Sequence, residues 1–274
     1  MSTTLRKAAL VGVVLAGAVG SSAQAAHERL VRVYGDLATA ERVAVIVPGS
    51  DTTIATFENS VRRPGGAARA LLAEAARLSP GAKVAVIAWL GYDSPAMLSV
   101  NAVTRGAAEE GAVALRRDLA ALGARTTAPV TLICHSYGSA VCAGATGGSN
   151  TGGSNTGESN TGESNTGESG TGGSDTGGAG SRVTDLAVVG SPGLDLPAGT
   201  RVWAGRMTND PVRLVPHVKL GPFGLGDDPM DPASGARIFA TGAGGHSDYF
   251  RPGTASLRNL ALITLGRVRE VSRG

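Results

Sequence analysis

Apolar residues fall along this chain in a repeating order of short β-rich runs and longer helical patterns. The runs lie at 42–47, 83–89, 130–134, 183–189, 201–207 and 237–240, and their apolar residues are nearly continuous rather than alternating with polar ones. Between them, residues 66–78 carry Ala, Leu, Arg and Glu at helical spacing and stop at Ser79-Pro80-Gly81, and residues 102–122 form a second such pattern ending at Gly123. A last helix is predicted over 254–271, with Leu257, Leu260, Ala261, Leu265 and Val268 on one face. Strands with no polar face must be covered on both sides. The order therefore predicts a three-layer α/β fold, a mostly parallel sheet with helices on both faces.

Two stretches break this order. At the start, Arg6-Lys7 precede an apolar run over 8–19, then Gly20-Ser21-Ser22 and Ala23-Gln24-Ala25. A basic start, a short apolar core and an Ala-x-Ala site make a secretory signal peptide, residues 1–25, cleaved after Ala25. The run is shorter than the roughly 20 apolar residues of a membrane span. A secreted protein that meets the membrane only during export is expected; the alternatives are a packed helix and an uncleaved membrane anchor. The second stretch, 146–180, repeats in fives as TGGSN, TGESN and close variants and holds no large apolar residue. It cannot bury a core and reads as a disordered, flexible insertion. Its carboxylates, Glu158, Glu163, Glu168 and Asp175, are spaced for no single metal site.

Setting both aside leaves one domain, 26–145 with 181–274. An apolar share of 42% is ample for its core, and the repeat tract explains the excess in a total of 41 glycines. The formal charge is +3, and without Arg6 and Lys7 the 25 basic residues fall to 23 against 22 acidic ones. No Lys/Arg cluster interleaves with aromatics, which sets nucleic acid aside as a partner. No His and Asp spacing suggests a ligand cluster, and no glycine-rich phosphate loop follows the first run, so neither metal nor organic cofactor is expected. Cys134 and Cys142 are read as two buried, unpaired cysteines. A bridge between them stays open as the alternative, since it needs a Cα separation of roughly 4.4–6.8 Å that sequence spacing does not supply.

The chemistry concentrates at Cys134-His135-Ser136-Tyr137-Gly138, between the run ending at 134 and a helix-compatible stretch at 139–143. A serine on a strand-to-helix turn, with a small residue two positions away on either side, has the pattern of a nucleophile elbow; Cys134 stands where a glycine is usual. In that arrangement an acid and then a histidine follow the serine along the chain. Asp210 lies in Thr208-Asn209-Asp210-Pro211 and His246 in Gly244-Gly245-His246-Ser247-Asp248, each just past the end of a β-rich run, where open α/β sheets place their sites. A neutral imidazole must take the serine proton, and a buried carboxylate must hold that imidazole in the right tautomer. The loop Val47-Pro48-Gly49-Ser50-Asp51 offers an oxyanion-hole N–H from Ser50 or Asp51, and the Tyr137 N–H a second. His135 reads as a packing or hydrogen-bonding neighbour, His217 as loop or core, and His27 as surface. Asp227, Asp228 and Asp231, in a Gly/Pro-rich loop, are rivals to Asp210, and Asp93 after the second run is a non-standard alternative.

The runs Cys-His-Ser-Tyr-Gly-Ser (134–139), Asp-Leu-Ala-Val-Val-Gly-Ser-Pro-Gly (185–193), Asp-Pro-Ala-Ser-Gly-Ala-Arg-Ile-Phe (231–239) and Gly-His-Ser-Asp-Tyr-Phe (245–250) resemble the actinobacterial α/β-hydrolase family long catalogued as a domain of unknown function. The resemblance covers Glu41 to Arg267 apart from the repeat tract. It implies the α/β-hydrolase fold and a Ser136–Asp210–His246 triad, and no particular substrate. The expectation is a serine hydrolase cleaving a small-molecule carboxylic ester through an acyl-enzyme. Short acyl chains are expected, because the loop 221–235 is the one candidate cap. A non-catalytic binding protein on the same fold, and an acyltransferase using the same nucleophile, are the alternatives.

Overall fold

The computed structural model describes residues 29–97, 99, 104–147, 183–215, 217 and 224–274. The leader, His27 and the repeat tract beyond Gly147 lie outside the described residues. Seven strands form one sheet: β1 (Leu30–Tyr34), β2 (Arg42–Val47), β3 (Val84–Leu90), β4 (Val130–His135), β5 (Val183–Val189), β6 (Arg201–Gly205) and β7 (Arg237–Ile238). Their spatial order is β1-β3-β2-β4-β5-β6-β7, with β1 antiparallel to β3 and every other pairing parallel.

Alternate residues of each strand feed two separate cores, which is why the runs are apolar throughout. Val43, Val45 and Val47 of β2 point with Leu132 and Cys134 of β4 toward one face; Ala44, Ile46 and Ile133 point toward the other. Helices α2 (Gly106–Gly123) and α3 (Gly138–Ala145) cover the first face, α2 through Ala108, Ala112, Leu115, Leu119 and Leu122. Helices α1 (Pro64–Leu78) and α4 (Ala255–Thr264) cover the second, through Ala68, Leu71 and Ala75 and through Leu257, Leu260 and Ala261. Each fully buried Leu contributes roughly 1.5–3 kcal/mol. The Asp185 carboxylate, 2% exposed, clips β5 to β6 by taking Arg201 Nε at 2.5 Å, Arg201 Nη2 at 2.8 Å and Trp203 Nε1 at 2.8 Å.

The structure corrects four readings. Strand β1 was not expected; Arg32 interrupts its apolar pattern, and Val31 and Val33 remain exposed at the sheet edge. The last helix ends at Thr264 rather than 271, because Gly266 takes φ +73° and turns the chain into a tail that pairs Arg273 with Phe239. Helix α2 begins at Gly106, after a non-helical Thr104 and Arg105, and residues 102–103 of the expected helix lie outside the described residues. Cys134 and Cys142 are not free: they form a disulfide with a Cα separation of 6.5 Å, since α3 doubles back against the end of β4 and brings its second turn over Cys134. Among the described residues, no helix is long and apolar enough to cross a membrane.

Candidate active site

Ser136 occupies the turn between β4 and α3 at φ +53°, a left-handed conformation that costs a non-glycine residue about 1–3 kcal/mol. Several contacts hold it there. Its N–H donates to the Val189 carbonyl at the end of β5 (2.9 Å), and its carbonyl accepts the Ser139 N–H (2.9 Å). Across the turn the Cys134–Cys142 disulfide joins the strand before the serine to the helix after it. Gly49, at the end of β2, leaves no room for a side chain: a Cβ there would lie 2.6 Å from the Ser136 Cβ. The strain of the elbow is thus carried by buried neighbours on three elements.

The acid and the base come from the loops after β6 and β7. His246 Nε2 lies 2.8 Å from Ser136 Oγ, and His246 Nδ1 lies 2.9 and 3.0 Å from the two oxygens of Asp210. Asp210 is fully buried, at the N-cap of a short 3-10 turn, and takes the Val212 N–H at 2.8 Å. The Tyr249 hydroxyl also donates to Oδ2 of Asp210, while accepting the Met207 N–H at 3.1 Å. Burial pushes the Asp210 carboxyl up, but donation from His246, Tyr249 and Val212 outweighs it and holds the group below the usual carboxylate range. Tyr249, buried and beside Asp210, is pushed well above the ordinary tyrosine value and stays a donor. The His246 ring is therefore flanked by an acceptor at Nδ1 and a hydroxyl at Nε2, the arrangement a general base needs.

The rival acids are placed elsewhere. Asp228 pairs with Arg206 at 3.0 Å, Asp231 caps a 3-10 turn through the Ala233 N–H, and Asp227 bridges to Leu194. The Nδ1 position that Asp93 would need is filled by Asp210. His135 is a neighbour: its Nε2 donates to the His246 carbonyl at 2.6 Å. Burial, with His246 beside it, lowers its pKa to about 4, so it is neutral near pH 7. His217 lies 3.8 Å from Asp228.

Of the two oxyanion-loop amides, Asp51 donates to Pro95 at 3.1 Å. Among the described residues, the Ser50 and Tyr137 amides have no protein acceptor, which leaves both for a ligand oxygen. The loop is braced from below: Tyr92 donates to Pro48 and Ser94 to Gly49, each at 2.7 Å. The Tyr137 ring is buried and its hydroxyl donates to Thr104 at 2.7 Å, so only its backbone faces the site. A cavity of about 330 Å³ and a second of about 220 Å³ both open at Ser136 and His246. No residue of the described part of the candidate cap, 224–235, lines either cavity. Among the described residues, no group of three His, Cys, Asp or Glu is placed to hold a metal.

Tyr249, Gly190, Tyr92 and Ser94 were not read from the sequence. Gly190 combines φ +58° with crowding: a Cβ would lie 2.9 Å from Asp210 Oδ2 and 3.1 Å from the Tyr249 hydroxyl. Its signal was a glycine directly closing the β5 run; that of Tyr249 was a single aromatic three residues after His246.

Residues 24–155 match the family described as alpha/beta hydrolase; the match ends inside the repeat tract, and Asp210 and His246 lie beyond it. Two uncharacterized proteins of Mycobacterium tuberculosis, from strains CDC 1551 and H37Rv, are each 26% identical over 268 residues, covering 85% of this chain. The chain spans 36% of the length of these relatives. Among solved structures, esterase PE8 is similar with a TM-score of 0.49 and 12% identity, covering 89% of this chain and 99% of that one. An acetyl xylan esterase is similar with a TM-score of 0.41 and 13% identity, covering 83% and 100%. The chain has the α/β-hydrolase fold, and its residues 24–155 are similar to the alpha/beta hydrolase family.

Proposed function

We propose that this protein is an exported serine hydrolase that cleaves a carboxylic ester through an acyl-enzyme on Ser136. The observation that carries the reading is the continuous chain Ser136 Oγ, His246 Nε2, His246 Nδ1, Asp210, with both links within hydrogen-bond distance. His246 takes the hydroxyl proton as Ser136 Oγ attacks the ester carbonyl, and the Ser50 and Tyr137 N–H groups receive the oxyanion. Collapse breaks the bond to the alcohol oxygen, which leaves with the proton from His246. Water then gives a proton to His246, attacks the acyl carbonyl and releases the acid, and Ser136 regains its proton. Export is supported by the leader pattern of residues 1–25 and by the disulfide, a bond that persists in oxidising compartments.

The test is a series of p-nitrophenyl esters of increasing acyl length. Turnover that disappears in Ser136→Ala and is greatest for short acyl chains is the expected result. Folded wild-type protein that turns over none of the series would contradict the ester reading, and a preference for long chains would contradict the acyl-length part.

A further inference from the structure

The cavity of about 330 Å³ beside Ser136 and His246 has three charged residues in its lining, Asp51, Arg62 and Arg63. They are not equivalent. Arg62 is neutralised by Asp248, whose Oδ1 lies 3.0 Å from Nη2 and 3.1 Å from Nε. Arg63 meets no carboxylate at ion-pair distance among the described residues. Its Nη1 donates instead to a neutral acceptor, the Asp51 carbonyl, at 2.6 Å. The Asp51 carboxylate is itself turned to the Met97 N–H, at 3.1 Å. Arg63 is half-buried and stands at the N-cap of α1, whose first turn holds no acidic residue to offset it.

A staple for the oxyanion loop needs one donor to one carbonyl, and a neutral side chain supplies that. A part-buried cation gains most from an anionic partner, and a guanidinium carries five N–H donors in a fork suited to a carboxylate. The cavity of about 220 Å³ contrasts with this one: Pro192, Pro211, Val212 and Val215 line it beside the same Ser136 and His246. The second cavity has an apolar wall, whereas the first carries Arg63 together with the Arg62–Asp248 pair and Asp51, whose carboxylate is engaged by the Met97 N–H.

We infer that Arg63 sets specificity, and that the ester cleaved at Ser136 carries a carboxylate on the part that enters the Arg63 cavity. The inference rests on the hydrolase reading above and names its substrate class.

The test uses the full chain and two substrate pairs that place the charge on either side of the scissile bond: mono-p-nitrophenyl adipate against p-nitrophenyl hexanoate, and 4-acetoxybenzoate against its methyl ester. The readout is the ratio of kcat/KM for the charged over the neutral ester. For one pair the wild-type ratio exceeds one and falls with added salt; Arg63→Gln lowers it about tenfold, the worth of one charge-assisted hydrogen bond, and Arg63→Lys restores part of it. A ratio unchanged in Arg63→Gln, with both esters slowed alike, is the signature of a structural staple and overturns the inference. A second readout needs no turnover: adipate protects Ser136 from a fluorophosphonate in the wild type and not in Arg63→Gln. Labelling without protection, together with an unchanged ratio, sinks the inference alone. No labelling of Ser136 at all removes the hydrolase reading and the inference with it.

Discussion

The Tyr249 hydroxyl donates to Oδ2 of Asp210, the oxygen that also faces His246 Nδ1 at 3.0 Å. Asp210 therefore meets three donors in a fully buried position, and its ionised form is favoured chiefly by hydrogen bonding, with the charge of His246 adding to it. Tyr249→Phe removes one of those donors and strands the Met207 N–H. It is expected to cost about 2 kcal/mol of stability and about tenfold in kcat/KM, read by urea denaturation and ester hydrolysis. A variant equal to wild type in both would show the hydroxyl to be incidental.

Gly190 and Gly199 separate strain from crowding. Both have positive φ, +58° and +77°, but only at Gly190 does a Cβ meet the Asp210 carboxylate; at Gly199 nothing lies within 4 Å. Each alanine variant loses about 1 kcal/mol or more from the backbone alone. Gly190→Ala should also lose about 100-fold in kcat/KM, the cost of displacing a catalytic group by about an ångström, whereas Gly199→Ala retains activity. Equal activity in the two variants would refute the steric account.

How much of this was legible in the sequence depended on the range of the physical cause. Strands β2 to β6 read directly, because a strand buried on both faces must be apolar throughout. Ser136, Asp210 and His246 were named because the order serine, acid, histidine and their places after strands are local features. Strand β1 was missed because an edge strand tolerates Arg32 and exposed valines. The disulfide was misjudged because a Cα distance is a property of packing, and Tyr249 and Gly190 were missed because their roles exist only once three loops converge on Asp210.

The disulfide closes a short loop, with a sequence separation of 8, and both cysteines are fully buried. Loop closure of that size is worth about 2.5 kcal/mol. A reducing agent should lower the urea midpoint of the wild type by that equivalent and leave Cys134→Ala/Cys142→Ala unmoved. Free thiols found in the unreduced, denatured protein would contradict the bridge.

His135 gives a pH dependence with a definite sign. The unfolded chain binds a proton on this histidine near 6.5, the folded chain only near 4. Between those values the unfolded state holds the extra proton, so stability falls as pH falls. His135→Gln keeps a donor for the His246 carbonyl and does not titrate. Its loss of stability from pH 7 to 4.5 should be smaller than that of the wild type by about 2 kcal/mol. Parallel pH profiles would show that His135 is not held neutral.

The central claim is that Ser136 is a nucleophile activated by His246. It is tested most directly by treating the full chain with a fluorophosphonate and mapping the adduct by peptide mass spectrometry. The account predicts a single adduct on the peptide bearing Ser136, absent in Ser136→Ala and greatly slowed in His246→Ala. Folded protein that carries no adduct, or carries it on another residue, would contradict the account.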